Sequence, residues 1–351
     1  MQKLPLSKSP KFALKHKNRM VRGSYGIKLY SVANIDQNVR TNSWSLLVFI
    51  ILMALSLAIW WAPLTSTCAL ALNEEQYTHI LLILPLSATL IFLDSKADWK
   101  LNRKSDGKSS EPGIGASTTL ASAFLVAAVV VNAIVRRKLH LSWDVQLATT
   151  MLALVLWWIA AFVLCFGPRA FRRSLFPLCF LLWMVPLPEF VLNPIVGFLQ
   201  QGSAASAHLL FAAVGIPVAQ RGMLVHIPGL TLEVAPECSS IRSSLMLLVT
   251  TMVVAHLLLR STWRRVLVVS AAVPLSVAKN GLRIFTLGVL ATRVDPSFLS
   301  GRLHRQGGGV FFLIALGAIF LLLWILRRGE AEKPKLGPRA PLPEKIYRAN
   351  A

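Results

Sequence analysis

Phe190-Val-Leu-Asn193-Pro-Ile-Val-Gly-Phe-Leu-Gln200-Gln201-Gly-Ser203-Ala-Ala-Ser206-Ala-His208-Leu-Leu-Phe-Ala-Ala213 is the stretch whose reading decides the fold. It is apolar enough to suggest a membrane span, yet Asn193, Gln200, Gln201, Ser203, Ser206 and His208 interrupt it. Polar groups facing lipid are expensive. The stretch is therefore expected as a helix lying at the outer membrane interface, or packed beneath a site, and not as a span of its own. Every later crossing takes its direction from that choice.

The surrounding composition supports a membrane setting. Of 351 residues, 55% are hydrophobic and 15% charged, against about 25% charged in ordinary soluble domains. The apolar residues fall in long blocks and not in amphipathic stripes, which predicts an all-α, polytopic transmembrane helical bundle. The formal charge of +22 fits cytoplasmic tails and loops under the positive-inside rule. No basic run is interleaved with stacking aromatics, so nucleic acid is not an expected partner, whereas anionic membrane lipid is.

Outward from the opening stretch, about eight spans are predicted, with both termini cytoplasmic. Residues 1–42 form a basic N-terminal tail, 43–328 the transmembrane domain and 329–351 a C-terminal tail. The spans cover about 44–62, 78–93, 116–135, 144–166, 174–187, 238–259, 266–291 and 308–326. Arg136, Arg137 and Lys138 then fall outside, against the rule, while the arginines at 169, 172, 173, 260, 264, 265, 327 and 328 fall inside. A short exposed segment, read as a strand pair through Pro228-Gly229, precedes the sixth span.

Three residues at the outer ends of the late spans carry candidate chemistry. Cys238 follows Pro236 and Glu237 at a helix start, where unpaired N–H groups favour a thiolate. Arg283 lies in an apolar span, with Lys279 one turn earlier on the same face and Asn280 beside it. A guanidinium there can hold a carboxylate or an oxyanion. His304 precedes Gly307, Gly308 and Gly309, and an imidazole suits acid–base work near neutral pH. Each has a plainer reading: an inert buried thiol, a snorkelling arginine, a solvated loop histidine. The four cysteines show no Cys-x-x-Cys spacing and no metal-ligand cluster, so neither metal nor cofactor is expected.

These residues stand in blocks that resemble the exosortase/archaeosortase family of integral membrane transpeptidases. The blocks are Gly215-Ile216-Pro217-Val218, then Ala235-Pro236-Glu237-Cys238-Ser239-Ser240-Ile241-Arg242-Ser243, then Lys279-Asn280-Gly281-Leu282-Arg283, and last His304 with Gly308. The resemblance is densest over 210–312 and implies Cys238 as nucleophile with Arg283 and His304 as catalytic partners. Ser239, Arg242, Lys279, Asn280 and Gly308 would contact substrate or support that trio. It also implies a bacterial inner (plasma) membrane enzyme with its site facing outward. Its partners would be secreted proteins whose C-terminal tail joins a short motif, typically Pro-Glu-Pro, to a transmembrane helix and a basic cluster. Ser240 stands where the family usually has glycine. The alternative from the residues alone is a transporter or polysaccharide-assembly protein that binds an anion through Arg283 and Lys279.

Overall fold

The computed structural model describes residues 43–102, 114–138, 141–234, 241–299 and 308–331. The chain is a bundle of helices with one small sheet, as an all-α polytopic protein requires. Backbone polar groups in lipid must be satisfied within a segment, which only a helix can do alone.

Helix α1 (Ser43–Ile59) bends by 74° into α2 (Trp61–Asn73). The first predicted span therefore ends at Ile59, and residues expected as an outer loop form a helix instead. Pro63 sits in the first turn of α2, where a proline removes no helical hydrogen bond. After a 3₁₀ turn (Glu75–Tyr77) come α3 (Ile80–Asn102), α4 (Ile114–Lys138) and α5 (Trp143–Arg173). The α5 ladder breaks at Gly167, φ 81°, just before Pro168, close to the predicted end of the fourth span.

The fifth predicted span is not one helix. It comprises α6 (Leu175–Phe180), a 3₁₀ turn (Leu181–Met184) and an extended run through Pro186 and Pro188. At about 1.5 Å per residue for α, 2.0 Å for 3₁₀ and 3.3 Å for extended chain, this mixture still climbs most of a bilayer core. Helix α7 (Glu189–Ala213) follows at 95° to it. Among the described residues, six helices are long and apolar enough to cross a membrane, or up to eight spans if each bent pair counts as one.

Strands β1 (Ala219–Arg221), β2 (Leu224–Ile227) and β3 (Leu230–Glu233) form an antiparallel sheet in sequence order, one strand more than the expected pair. Two two-residue turns build it. Gly222 has φ 59°, and Pro228-Gly229, with Gly229 at φ 79°, has the proline-then-glycine order of a type II turn. Helices α8 (Ile241–Leu258), α9 (Thr262–Arg293) and α10 (Gly308–Ala331) complete the bundle.

Contacts sort the helix ends into two groups. At one end, Tyr77 Oη donates to the Leu187 carbonyl at 3.0 Å, and the Glu189 N–H donates to Asp144 at 2.9 Å. Arg242 pairs with Glu75 at 3.6 Å there as well. Arg136 lines a pocket with Trp143 and Gln146 at the start of α5, so it too belongs to this sheet-bearing end. At the opposite end, His256 lies 3.5 Å from Asp94 and stacks on Phe176 with centroids 4.1 Å apart. Arg265 donates to the Leu259 carbonyl at 2.8 Å, and Arg264 holds the last carbonyls of α10 at Leu326 and Gly329. Spans two, four, six, seven and eight alternate between these ends in the predicted order.

Helix α7 packs along α9 with no room for extra atoms. A Cβ on Gly281 would lie 2.4 Å from Ser206 Cβ and 3.0 Å from the Ala207 backbone nitrogen. Overpacking of this kind costs about 1–3 kcal/mol. Gly317, within α10, has nothing within 4 Å of the same position. Gly281→Ala is expected to lower the thermal midpoint of the detergent-solubilised protein, while Gly317→Ala leaves it unchanged or slightly raised. Equal midpoints for the two variants would remove the close approach as a structural constraint.

Candidate functional site

The polar residues of α9 form a stripe that the bundle covers. Lys279, Asn280 and Arg283 are 6%, 1% and 8% exposed, although they stand in a membrane-spanning helix. Bare charges in lipid are disfavoured, so the stripe faces neighbouring helices. Asn280 Nδ2 donates to Ser203 Oγ on α7 at 3.0 Å, and Ser203 in turn donates to the Leu199 carbonyl at 2.6 Å. Lys279 Nζ donates to Ser243 Oγ on α8. A methyl carbon placed on Gly308, the first residue of α10, would lie 3.8 Å from Arg283 Nη1. Arg283 thus sits where α8 and α10 begin, at the sheet-bearing end.

The segment that leads into α8 is held at its start. Val234 is 1% exposed, its carbonyl accepts a hydrogen bond from Gln200 Nε2 at 2.8 Å, and its N–H donates to the Met223 carbonyl at 3.0 Å. Gln200 lies on α7, among the polar residues that make the opening stretch a poor lipid-facing span. Of those residues, Gln200 and Ser203 lie on the inner face of a covering helix with Ala204, Ala207 and Phe211, whereas Asn193 and Gln201 are exposed.

Of the residues singled out in the sequence, the structure brings together Arg283, Lys279, Asn280 and Gly308. Arg242, half exposed, reaches Glu75. Cys238, Ser239 and His304 lie outside the described residues. Ser243 was quoted only as part of a motif, and the structure makes it the partner of Lys279. Its position four residues before Leu247, on the buried side of α8, is the signal that would have found it. Among the described residues, no three His, Cys, Asp or Glu side chains converge to hold a metal ion. A separate cavity of about 580 Å³ is lined by Phe49, Leu84, Trp158, Phe162 and other apolar residues, with Ser87 as its polar member, and offers no chemistry.

Comparison with family models matches residues 60–321 to the family described as Transmembrane exosortase (Exosortase_EpsH). No curated protein and no solved structure matches the chain. The matched region takes in the polar stripe of α9, the sheet and the starts of α8 and α10, and it spans well over half the sequence. This multi-pass membrane protein belongs to the transmembrane exosortase family.

Proposed function

We propose that the protein is a membrane-embedded cysteine transpeptidase or endopeptidase that removes the C-terminal sorting tail of secreted proteins at the outer membrane face. The observation that carries this reading is the burial of Arg283 beside the start of α10, one helical turn beyond the contact of Lys279 with Ser243 near the start of α8. Cys238 lies four residues after the anchored Val234 and three before Ile241, where α8 begins. His304 lies four residues before Gly308. At no more than about 3.5 Å per residue, Cα238 stays within about 10 Å of Cα241, and Cα304 within about 14 Å of Cα308. These spacings are short enough for the thiol and the imidazole to reach the guanidinium, as the reading requires.

The chemistry is acyl transfer. The Cys238 thiolate attacks a substrate peptide carbonyl, and Arg283 stabilises the oxyanion that forms. As the tetrahedral intermediate collapses, the C–N bond breaks and His304 gives its proton to the departing amine of the tail. The thioester left on Cys238 is resolved by an amine, which joins the secreted protein to an acceptor, or by water. His304 takes the proton from that incoming nucleophile. The substrate's own membrane helix brings the scissile bond to the site within the bilayer plane, which supplies much of the positioning.

Orientation follows from charge. The end opposite the sheet carries Arg169, Arg172, Arg173, Arg260, Arg264, Arg265, Arg327 and Arg328, which supports placing it in the cytoplasm with both tails under the positive-inside rule, while the family resemblance points to a bacterial cell. The sheet and the site then face outward.

Two outcomes test the reading. A co-expressed reporter bearing a Pro-Glu-Pro sorting tail is expected to lose its tail with the unaltered protein and to keep it with Cys238→Ala, at equal protein levels. Tail removal at the unaltered rate by Cys238→Ala would eliminate the thiol as nucleophile, and removal by neither protein would favour an anion transporter, which needs Arg283 and not Cys238. Arg283→Lys replaces a planar fork with a point charge. It is expected to slow tail removal by about 10²–10³-fold, as measured by the release rate of the cleaved reporter.

A further inference from the structure

Lys279 is a charge that its structural role does not need. It sits four residues before Arg283, on the same face of α9 and about 6 Å deeper along the helix. Its ammonium is buried, not snorkelled to a membrane surface, and one of its three donors goes to Ser243 Oγ. An asparagine or glutamine could donate to that hydroxyl without bringing a charge into the bundle. Placing a second cation one helical turn from the first also adds like-charge repulsion. Among the described residues, no carboxylate lies within ion-pair distance of Lys279. Two carboxylates at this end are engaged elsewhere, Glu75 with Arg242 and Asp144 with the Glu189 N–H. Ser243 itself is only half-buried.

From this arrangement we infer that Lys279, oriented by Ser243, is a specificity-determining residue that receives a carboxylate side chain of the substrate peptide. The inference rests on the sorting-enzyme reading and names the part of the substrate that the deeper cation recognises. An extended peptide rises about 3.3 Å per residue, so a gap of about 6 Å puts the acid about two residues from the bond whose carbonyl faces Arg283. A neutral amide in place of the carboxylate can still accept from Lys279, but it leaves the buried charge without a counter-charge.

The test uses binding, so it does not depend on the chemistry. The full-length Cys238→Ala protein in nanodiscs is titrated with two synthetic sorting-tail peptides that differ only in glutamate or glutamine within Pro-Glu-Pro. The glutamate peptide is expected to bind about tenfold more tightly. Adding Lys279→Met should bring the two affinities to within about twofold of each other, whereas Lys279→Arg should keep the preference. A purely structural lysine would weaken both peptides alike and preserve their ratio. Equal affinities in the parent, a preference that survives Lys279→Met, or binding of neither peptide would each overturn the inference. Cleavage of the glutamate peptide by protein with Cys238 intact is read in parallel, so a failed nucleophile and a failed acid pocket give different results.

Discussion

A charged stripe in a hydrocarbon layer has to be covered, and most of this fold follows from that requirement. Lys279, Asn280 and Arg283 lie on a helix of 32 residues, about 48 Å long and longer than a bilayer core of about 30 Å. Helices α7 and α8 screen the lower part of the stripe, and the start of α10 approaches the guanidinium. Helix α7 can do so only because Gly281 lets its backbone come within contact distance of α9. Moving α7 outward by the width of a methyl group would loosen the Asn280–Ser203 hydrogen bond and open a path from the stripe to lipid.

The same covering helix ties the sheet to the site. Gln200 is buried on α7 and gives its amide to the Val234 carbonyl, immediately after β3. Further along the same face, α7 meets Val225 and Ile227 of β2 through a small apolar cluster that also holds Ile284 of α9. The three short strands therefore pack one face on this cluster and leave the other exposed. They deliver the chain to the start of α8 from a defined point, which a free loop of that length would not do. Residues too polar to face lipid and too apolar to form a loop serve well in that position.

Long apolar blocks were legible because a bilayer demands them, and the order in which the helix ends alternate followed from the placement of arginines. Elements whose shape depends on local packing were not legible. The helix from Trp61 to Asn73 has no basic flank, is followed directly by Glu74 and Glu75, and reads as a loop between two spans. The crossing from Ser174 to Pro188 has enough apolar residues for a helix, but its prolines divide it into helical, 3₁₀ and extended parts. At the site, Arg283 and Lys279 stood out because charge in a span is costly. Ser243 did not, since a serine near a helix start has many local roles and only the neighbouring helix shows which one applies. The polar pattern of 190–213 indicated that it was not an ordinary span, while its pairing with α9 required knowledge of where Gly281 and Ser206 meet.

The depth of the two cations gives the site its character. Counted from Thr262, where α9 begins, Arg283 stands about 32 Å along the helix, at the far edge of a hydrocarbon core, and Lys279 about 6 Å below it. A peptide reaching both would have its scissile bond at the boundary and an adjoining side chain just under it. A soluble protein would have to enclose such a peptide to remove water and to strengthen its electrostatic contacts. Under the proposed function the bilayer would supply the low dielectric, and the substrate's own membrane helix would supply the approach. The protein would then have only to hold a short extended segment beside Arg283 and Lys279. That accounts for a bundle whose polar residues are concentrated on one face of one helix and are not spread through a large cleft.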